Sequence, residues 1–402
     1  MTCTALPAAL PAATPDLAAT PIVPVPMAYA QWVAAAVALA RRAPRPIVSL
    51  FESSVPEPRA LLRQAVMATV EPDFSPRYVS AFGDGNPFVR GMLAQSHGVD
   101  IEQVLCTTGA TGGLALLYRA LLRPGDRVLV EMPGFDLFAG AAQVQGVAVD
   151  TFIRPAPHFG IDVAQVAAAL RPETRLIVVS DLHNPSGMGI ARETLAALAQ
   201  LAEARGVLLV VDEVYGDYAD KASRPGPACA LSPAVISLSS LTKIFGLGVL
   251  RCGWIVGAPG VMATLRDYAA RAEFGVSTLS HAVAAEVMMR ADAFTDHWRG
   301  HVARARPRFA VWFARMVDAG LMAGALPDAG CICFPALPGI ADTRAFSETL
   351  IAQSGVIVAP GEFFGQAGHI RIGFCLPDAE LDAGLAALEA ALCQAACHRT
   401  AI

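Results

Sequence analysis

The stretch SLTKIFGLGVLRCGW, residues 240 to 254, holds one lysine among apolar neighbours and an arginine eight residues later. An uncompensated ammonium is costly to bury, which leaves two readings of Lys243. Either it reaches water from an exposed turn together with Arg251, or it is buried with a depressed pKa and acts as a nucleophile. Other residues with chemical potential lie along the chain. In TTGATGGLALLYRALL, Gly109, Ala110 and Thr111 stand at a helix start, where backbone N–H groups and the helix dipole favour a phosphate. Such a run also simply begins helices. Phe135 follows a Pro-Gly turn at a strand end, where its face could cover a flat ring or fill a core. Asn184 in HNPSG sits on a turn. In VVDEVYGDY, Asp212 ends a buried run, with Tyr215 three residues on. A carboxylate there needs a partner, and a buried cation or a protonated ring nitrogen would serve.

These residues must be positioned by the elements around them. From about residue 100, apolar runs alternate with helical patterns. LLRPGDRVLVEMPGF, RLIVVSDLHNPSG, VLLVVDEVYGDY, AVISLSSLTK and RCGWIVGAP read as strands running into turns, and RETLAALAQLAEARG as an amphipathic helix stopped by Gly206. Strands apolar on both faces and separated by helices predict an α/β fold with a mainly parallel sheet between helices. Polar residues cluster just after the strand ends, the edge at which open α/β sheets bind ligands. After about residue 290 a long helix, AFTDHWRGHVARARPRFAVWFARMVDAG, leads into the short strands CICFPAL, GVIVAPG and HIRIGFC and a final helix, a pattern that predicts a smaller α+β domain. The expected division is an N-terminal arm and helix over 1–45, a large domain over 77–289, and a small domain joining 46–76 with 290–402.

Composition excludes several classes. The chain has 402 residues, 54% of them hydrophobic and 16% charged, enough for a large core, and a formal net charge of −5. That charge gives no reason to expect nucleic acid or an acidic membrane surface as partner. The nine cysteines are odd in number and lack the paired spacing of a zinc site, so no metal is expected. The Ala/Pro-rich opening lacks the basic start of a secretory signal, and AQWVAAAVALARRA is too short to span a bilayer. Free thiols without a signal predict a reducing, cytoplasmic location. The apolar stretch over 30 to 43 is expected to pack as a helix on the body of the protein or on a partner subunit.

Order and spacing make the separate signals specific. Gly109-Ala110-Thr111, Phe135, Asn184, Asp212-x-x-Tyr215, Ser240-x-x-Lys243 and Arg251, followed by VAPGEFFG and HIRIGFC, resemble the class I/II aminotransferase family of fold-type I pyridoxal-phosphate enzymes, over roughly residues 46 to 395. The resemblance implies pyridoxal 5'-phosphate as cofactor, joined to Lys243 as a Schiff base. It implies that Gly109, Ala110, Thr111, Ser240 and Arg251 bind the phosphate, that Asp212 pairs with the ring nitrogen, and that Tyr215 and Asn184 reach the ring hydroxyl. Phe135 would stack on the ring, and Arg371 would take the substrate α-carboxylate. The implied activity is transamination between an α-amino acid and a 2-keto acid, by a homodimer with shared active sites. A lyase, cyclase or oxidase on the same cofactor is the alternative, because all of these reactions start from the same lysine. A regulator of the same fold would carry a DNA-binding domain first, and the short Ala/Pro-rich opening shows no helix-turn-helix pattern.

Two stretches depart from the family pattern. In RYVSAFGDGNPFVR, Gly85 and Arg90 match, but Tyr78 and Phe82 are out of register for the tyrosine that relatives donate across a dimer interface. In SLFESSVPEP, Glu52 and Ser53 occupy a substrate-facing turn where relatives carry a Gly-x-Pro element. If Glu52 faces the substrate, a cationic donor is expected; otherwise it is a solvated surface carboxylate.

Overall fold

Aliphatic runs build seven strands: β1 (Val104–Thr108), β2 (Arg127–Met132), β3 (Ala148–Ile153), β4 (Thr174–Ser180), β5 (Leu208–Asp212), β6 (Val235–Ser240) and β7 (Cys252–Val256). In this computed structural model, residues 27–43, 46–79, 83–220, 222, 224, 226–273 and 275–400 are described. The seven strands form one sheet in the order β1-β7-β6-β5-β4-β2-β3, and only β7 runs against its neighbours. Ile177, Val178 and Val179 of β4 and Leu209, Val210 and Val211 of β5 are fully buried. Successive side chains of a strand point to opposite faces, so both faces need cover. Val178 and Val210 pack with Leu114 and Leu117 of the helix Gly109–Leu121. Ile177, Val179 and Val211 pack with Leu198 and Ala202 of the helix Arg192–Arg205 on the other side. That helix stops at Gly206, whose φ of 64° lies in the left-handed region that glycine adopts without cost.

The smaller sheet contains β8 (Ile332–Cys333), β9 (Ala359–Pro360) and β10 (Ile370–Gly373), antiparallel in the order β8-β10-β9. Against it lies the helix Ala291–Asp318, whose Phe309 ring stacks on Phe374 with centroids 4.5 Å apart. The segment over 46–76 divides between the two sheets. Val48 pairs with Val356, and the Gly373 N–H donates to the Leu50 carbonyl, which ties this part to the smaller sheet. The following helix, Arg59–Val70, instead packs on the helix Thr278–Met289, burying Ala65 and Thr69.

The N-terminal helix spans Tyr29–Ala40 and buries Trp32, Ala36 and Ala40, one stripe at four-residue spacing. It packs on the body of the protein, against the helix Thr343–Ser354, with Trp32 5.4 Å from the ring of Phe363. No helix among the described residues is long and apolar enough to cross a membrane. Trp32 dominates the docking of this helix, so Trp32→Ala should weaken it by about 3–5 kcal/mol, the range for deleting a buried aromatic. Limited trypsin digestion should then cut faster at Arg41 or Arg42, while the sheet domains resist; an unchanged cleavage rate would show that other contacts hold the helix.

Candidate active site

Because β2, β4, β5 and β6 run parallel, their C-terminal ends share one edge, and the loops that follow carry Phe135, Asn184, Asp212 and Lys243 to the same place. The structure gathers ten of the eleven sequence-selected residues around a single cavity of about 360 Å³: Ala110, Thr111, Phe135, Asn184, Asp212, Tyr215, Ser240, Lys243, Arg251 and Arg371. Gly109 stands just behind that lining. Its φ is 71°, and an added Cβ would come within 2.5 Å of Arg251 Nη2. The helix Gly109–Leu121 starts without a side-chain cap, so its first N–H groups are free to meet an anion beside the Arg251 guanidinium. Ser240 caps a separate short helix, Leu241–Ile244, its Oγ accepting from the Thr242 N–H at 3.4 Å.

Lys243 sits in the short helix Leu241–Ile244 directly after β6. Its Nζ donates to Ser53 Oγ at 2.9 Å and lies 5.9 Å from the centre of the Tyr215 ring. Desolvation, and then the Arg371 charge, lower its pKa to about 8; Glu52 opposes them. Asp212 accepts from the Val214 N–H at 3.1 Å, and burial pushes its pKa up to about 7. A carboxylate whose charge is this poorly solvated is suited to a cationic partner. The Tyr215 hydroxyl is buried and meets no group in hydrogen-bond geometry among the described residues. Phe135 caps the helix Asp136–Val144 and meets Phe138 edge-on at 5.7 Å.

Arg371 on β10 is only 2% exposed. Its Nη1 donates to Asn184 Oδ1 at 2.8 Å, and its Nη2 donates to Tyr29 Oη at 2.8 Å and to the Phe51 carbonyl at 3.0 Å. The guanidinium lies 4.9 Å from the Phe364 ring centre and 5.4 Å from that of Tyr29. Its Nε has no partner, and no carboxylate among the described residues forms an ion pair with it. Tyr29 is the contact that the sequence motifs missed. The only local signal for it is an aromatic residue at the start of an alanine-rich helix. At the departing stretch, Tyr78 is exposed and stacks on Phe74 at 4.5 Å, away from the cavity. Phe82 lies outside the described residues. Arg90 holds the carbonyls of Ile101 and Val104, and Gly85 takes a φ of 107° against Cys106.

An uncapped helix start beside an arginine, a carboxylate that favours a cation, an orphaned tyrosine hydroxyl and a lysine of lowered pKa fit the phosphate, ring nitrogen, ring hydroxyl and aldehyde of pyridoxal phosphate. Fold and site together define a fold-type I pyridoxal-phosphate enzyme. The chain belongs to the aminotransferase class I and II family, whose sequence model matches residues 56–388. It is 33% identical to capreomycidine synthase of Streptomyces vinaceus over 290 residues, which cover 71% of this chain and 73% of that relative. It is 30% identical to an arginine–pyruvate transaminase of Pseudomonas aeruginosa over 310 residues, covering 73% and 77%. Among solved structures, a PLP-dependent aminotransferase from Streptococcus suis superposes with a TM-score of 0.82 at 22% identity, covering 92% of this chain and 98% of that one. Aspartate aminotransferase from Thermus thermophilus with maleate gives 0.81 at 23%, covering 91% and 97%.

The lowered pKa of Lys243 has a kinetic consequence. Only the free amine attacks an aldehyde. Loading of the apoenzyme with pyridoxal phosphate should therefore speed up with rising pH and level off just above pH 8, rather than near the ordinary lysine value of 10.5. Borohydride treatment of the loaded enzyme, followed by peptide mapping, should find the cofactor on Lys243; an adduct on another lysine would overturn the assignment.

Proposed function

We propose that this enzyme moves the amino group of an α-amino acid to a 2-keto acid, with Lys243 as the residue that holds the cofactor and moves the proton. The observation that carries this reading is a buried arginine, Arg371, with no counter-ion among the described residues, in one cavity with a lysine whose pKa is lowered to about 8. When bound, pyridoxal phosphate supplies an electron sink for charge that develops at the substrate α-carbon. The helix start at Gly109, Ala110 and Thr111, with Ser240 and Arg251, would hold its phosphate. Asp212 would keep its ring nitrogen protonated, Tyr215 and Asn184 would hold its ring hydroxyl, and Phe135 would cover its ring. Arg371 takes the substrate carboxylate as a planar pair and so turns the α-hydrogen toward Lys243. Nζ accepts that proton, and a pKa near the working pH lets it give the proton back.

A second reading, a cyclase on the same cofactor, is favoured by the likeness to capreomycidine synthase and by the Glu52-Ser53 turn. One experiment separates them. A transaminase given donor alone must convert its cofactor to pyridoxamine phosphate in a single stoichiometric turnover, and a keto acid must restore it. Repeated turnover without any acceptor would exclude transamination and leave the assignment of Lys243 intact. Asp212→Ala should retain the phosphate contacts but slow exchange of the substrate α-proton with solvent by several orders of magnitude. Near-normal exchange in that variant would remove Asp212 from the mechanism.

The active form on this reading is a cytoplasmic homodimer. Support comes from an exposed aromatic group on one flank: Phe74 and Tyr78, and Phe88 with Arg77 over its ring at 5.7 Å. Surface aromatics grouped in this way are suited to a subunit interface.

A further inference from the structure

Glu52 is the one charged residue of the cavity lining to which the cofactor chemistry gives no task. It lies between two residues that touch the reacting machinery: the Phe51 carbonyl accepts from Arg371, and Ser53 Oγ accepts from Lys243. Its backbone is held in place by Gly373, where any side chain would collide with the Glu52 carbonyl. The residue is exposed and lines the cavity, and its carboxylate takes no ion pair or hydrogen bond among the described residues. The other acidic lining residue, Asp212, is buried at the end of β5. Tyr29, Ala30 and Val33 of the N-terminal helix line the same cavity.

A balance of charges shows what Glu52 lacks. In the free site, Glu52 is the carboxylate that acts most strongly on Lys243, ahead of Asp212. Once the enzyme is loaded and substrate is bound, each cation has a partner. Arg251 would hold the phosphate, Arg371 the α-carboxylate and Lys243 the proton of the reacting carbon, while Asp212 would meet the ring nitrogen. Glu52 then remains as a carboxylate without a cation, beside the substrate. A carboxylate that lines a binding cavity without a partner favours a ligand that brings a charge of opposite sign.

We infer that Glu52 selects amino acids with a cationic side chain, a guanidinium or an alkylammonium, as the amino donor of this enzyme. The inference deepens the proposed function and rests on the reading of Arg371 as the α-carboxylate site. It does not depend on what happens after the α-proton is removed.

The test compares arginine with citrulline, which has nearly the same shape and no charge. In the holoenzyme, kcat/KM for arginine should exceed that for citrulline by about 10- to 100-fold, the range for one charge-assisted pair. Glu52→Gln should bring the ratio close to one, and Glu52→Lys should favour glutamate over arginine. The deamino analogues of the two amino acids, which cannot react, should inhibit with the same ratio in the wild type and lose it in Glu52→Gln. Equal kcat/KM for arginine and citrulline in the wild type, or a ratio that survives Glu52→Gln, would overturn the inference. A carboxylate that serves only as counter-charge to Lys243 gives that second outcome, because it shifts all donors alike. Product analysis keeps the two readings apart. Arginine preference with turnover in the absence of any keto acid would end the transaminase reading and leave Glu52 its role, whereas amino transfer without discrimination would do the reverse.

Discussion

The site depends on a guanidinium, Arg371, that the fold buries without a counter-ion among the described residues. Arg371 is anchored by neutral acceptors from three parts of the chain, Asn184, Phe51 and Tyr29, and by the faces of two aromatic rings. These contacts fix the plane of the fork and partly solvate its charge, but none of them neutralises it. After desolvation, the same field is the largest cause that lowers the pKa of Lys243. On the proposed reading, an arriving substrate carboxylate would cancel that field and make the lysine more basic when it has a proton to take. Recognition and proton transfer would then be coupled through one charge.

A second buried network holds the loop that supplies Asn184. Glu131 on β2 pairs with Arg154 at 2.7 Å, both side chains fully buried, and accepts from the Ser180 N–H at 2.9 Å. Ser180 Oγ donates to Glu131 and accepts from the Asn184 N–H at 2.9 Å. His183, neutral because burial lowers its pKa, bridges Ser186 Oγ at 2.6 Å and the Pro133 carbonyl at 2.9 Å. An ion pair buried this deeply adds little net stability. What it supplies is position: it joins the loop after β2 to the loop after β4, and so ties together the loops that carry Phe135 and Asn184.

The strands of the large sheet and the residues at their ends were legible in the sequence because both signals are local. A strand buried on two faces has to be a continuous apolar run, and a parallel sheet puts the loop after each run on one edge. Spacing within a single loop was enough to single out Asp212 with Tyr215, and Ser240 with Lys243 and Arg251. The same locality explains why Gly206 could be read as a helix end. Local signals say less about the segment over 46–76, where Val48 pairs with Val356 beside the smaller sheet and the helix Arg59–Val70 packs on the helix Thr278–Met289. Nothing in a short amphipathic helix says which of two apolar surfaces will cover it.

By itself, then, the sequence determined the layered α/β architecture, the family and a set of residues that the fold gathers at one cavity. Tertiary structure alone decided which distant residues meet at the cavity. Tyr29 meets Arg371 across 342 residues of chain, Asn184 meets it across 187, and Ser53 meets Lys243 across 190. No periodicity encodes such pairs. They follow from the packing of the N-terminal helix and the smaller sheet over the edge of the larger one, where close-packed side chains leave each polar group a few ångströms in which to find its partner.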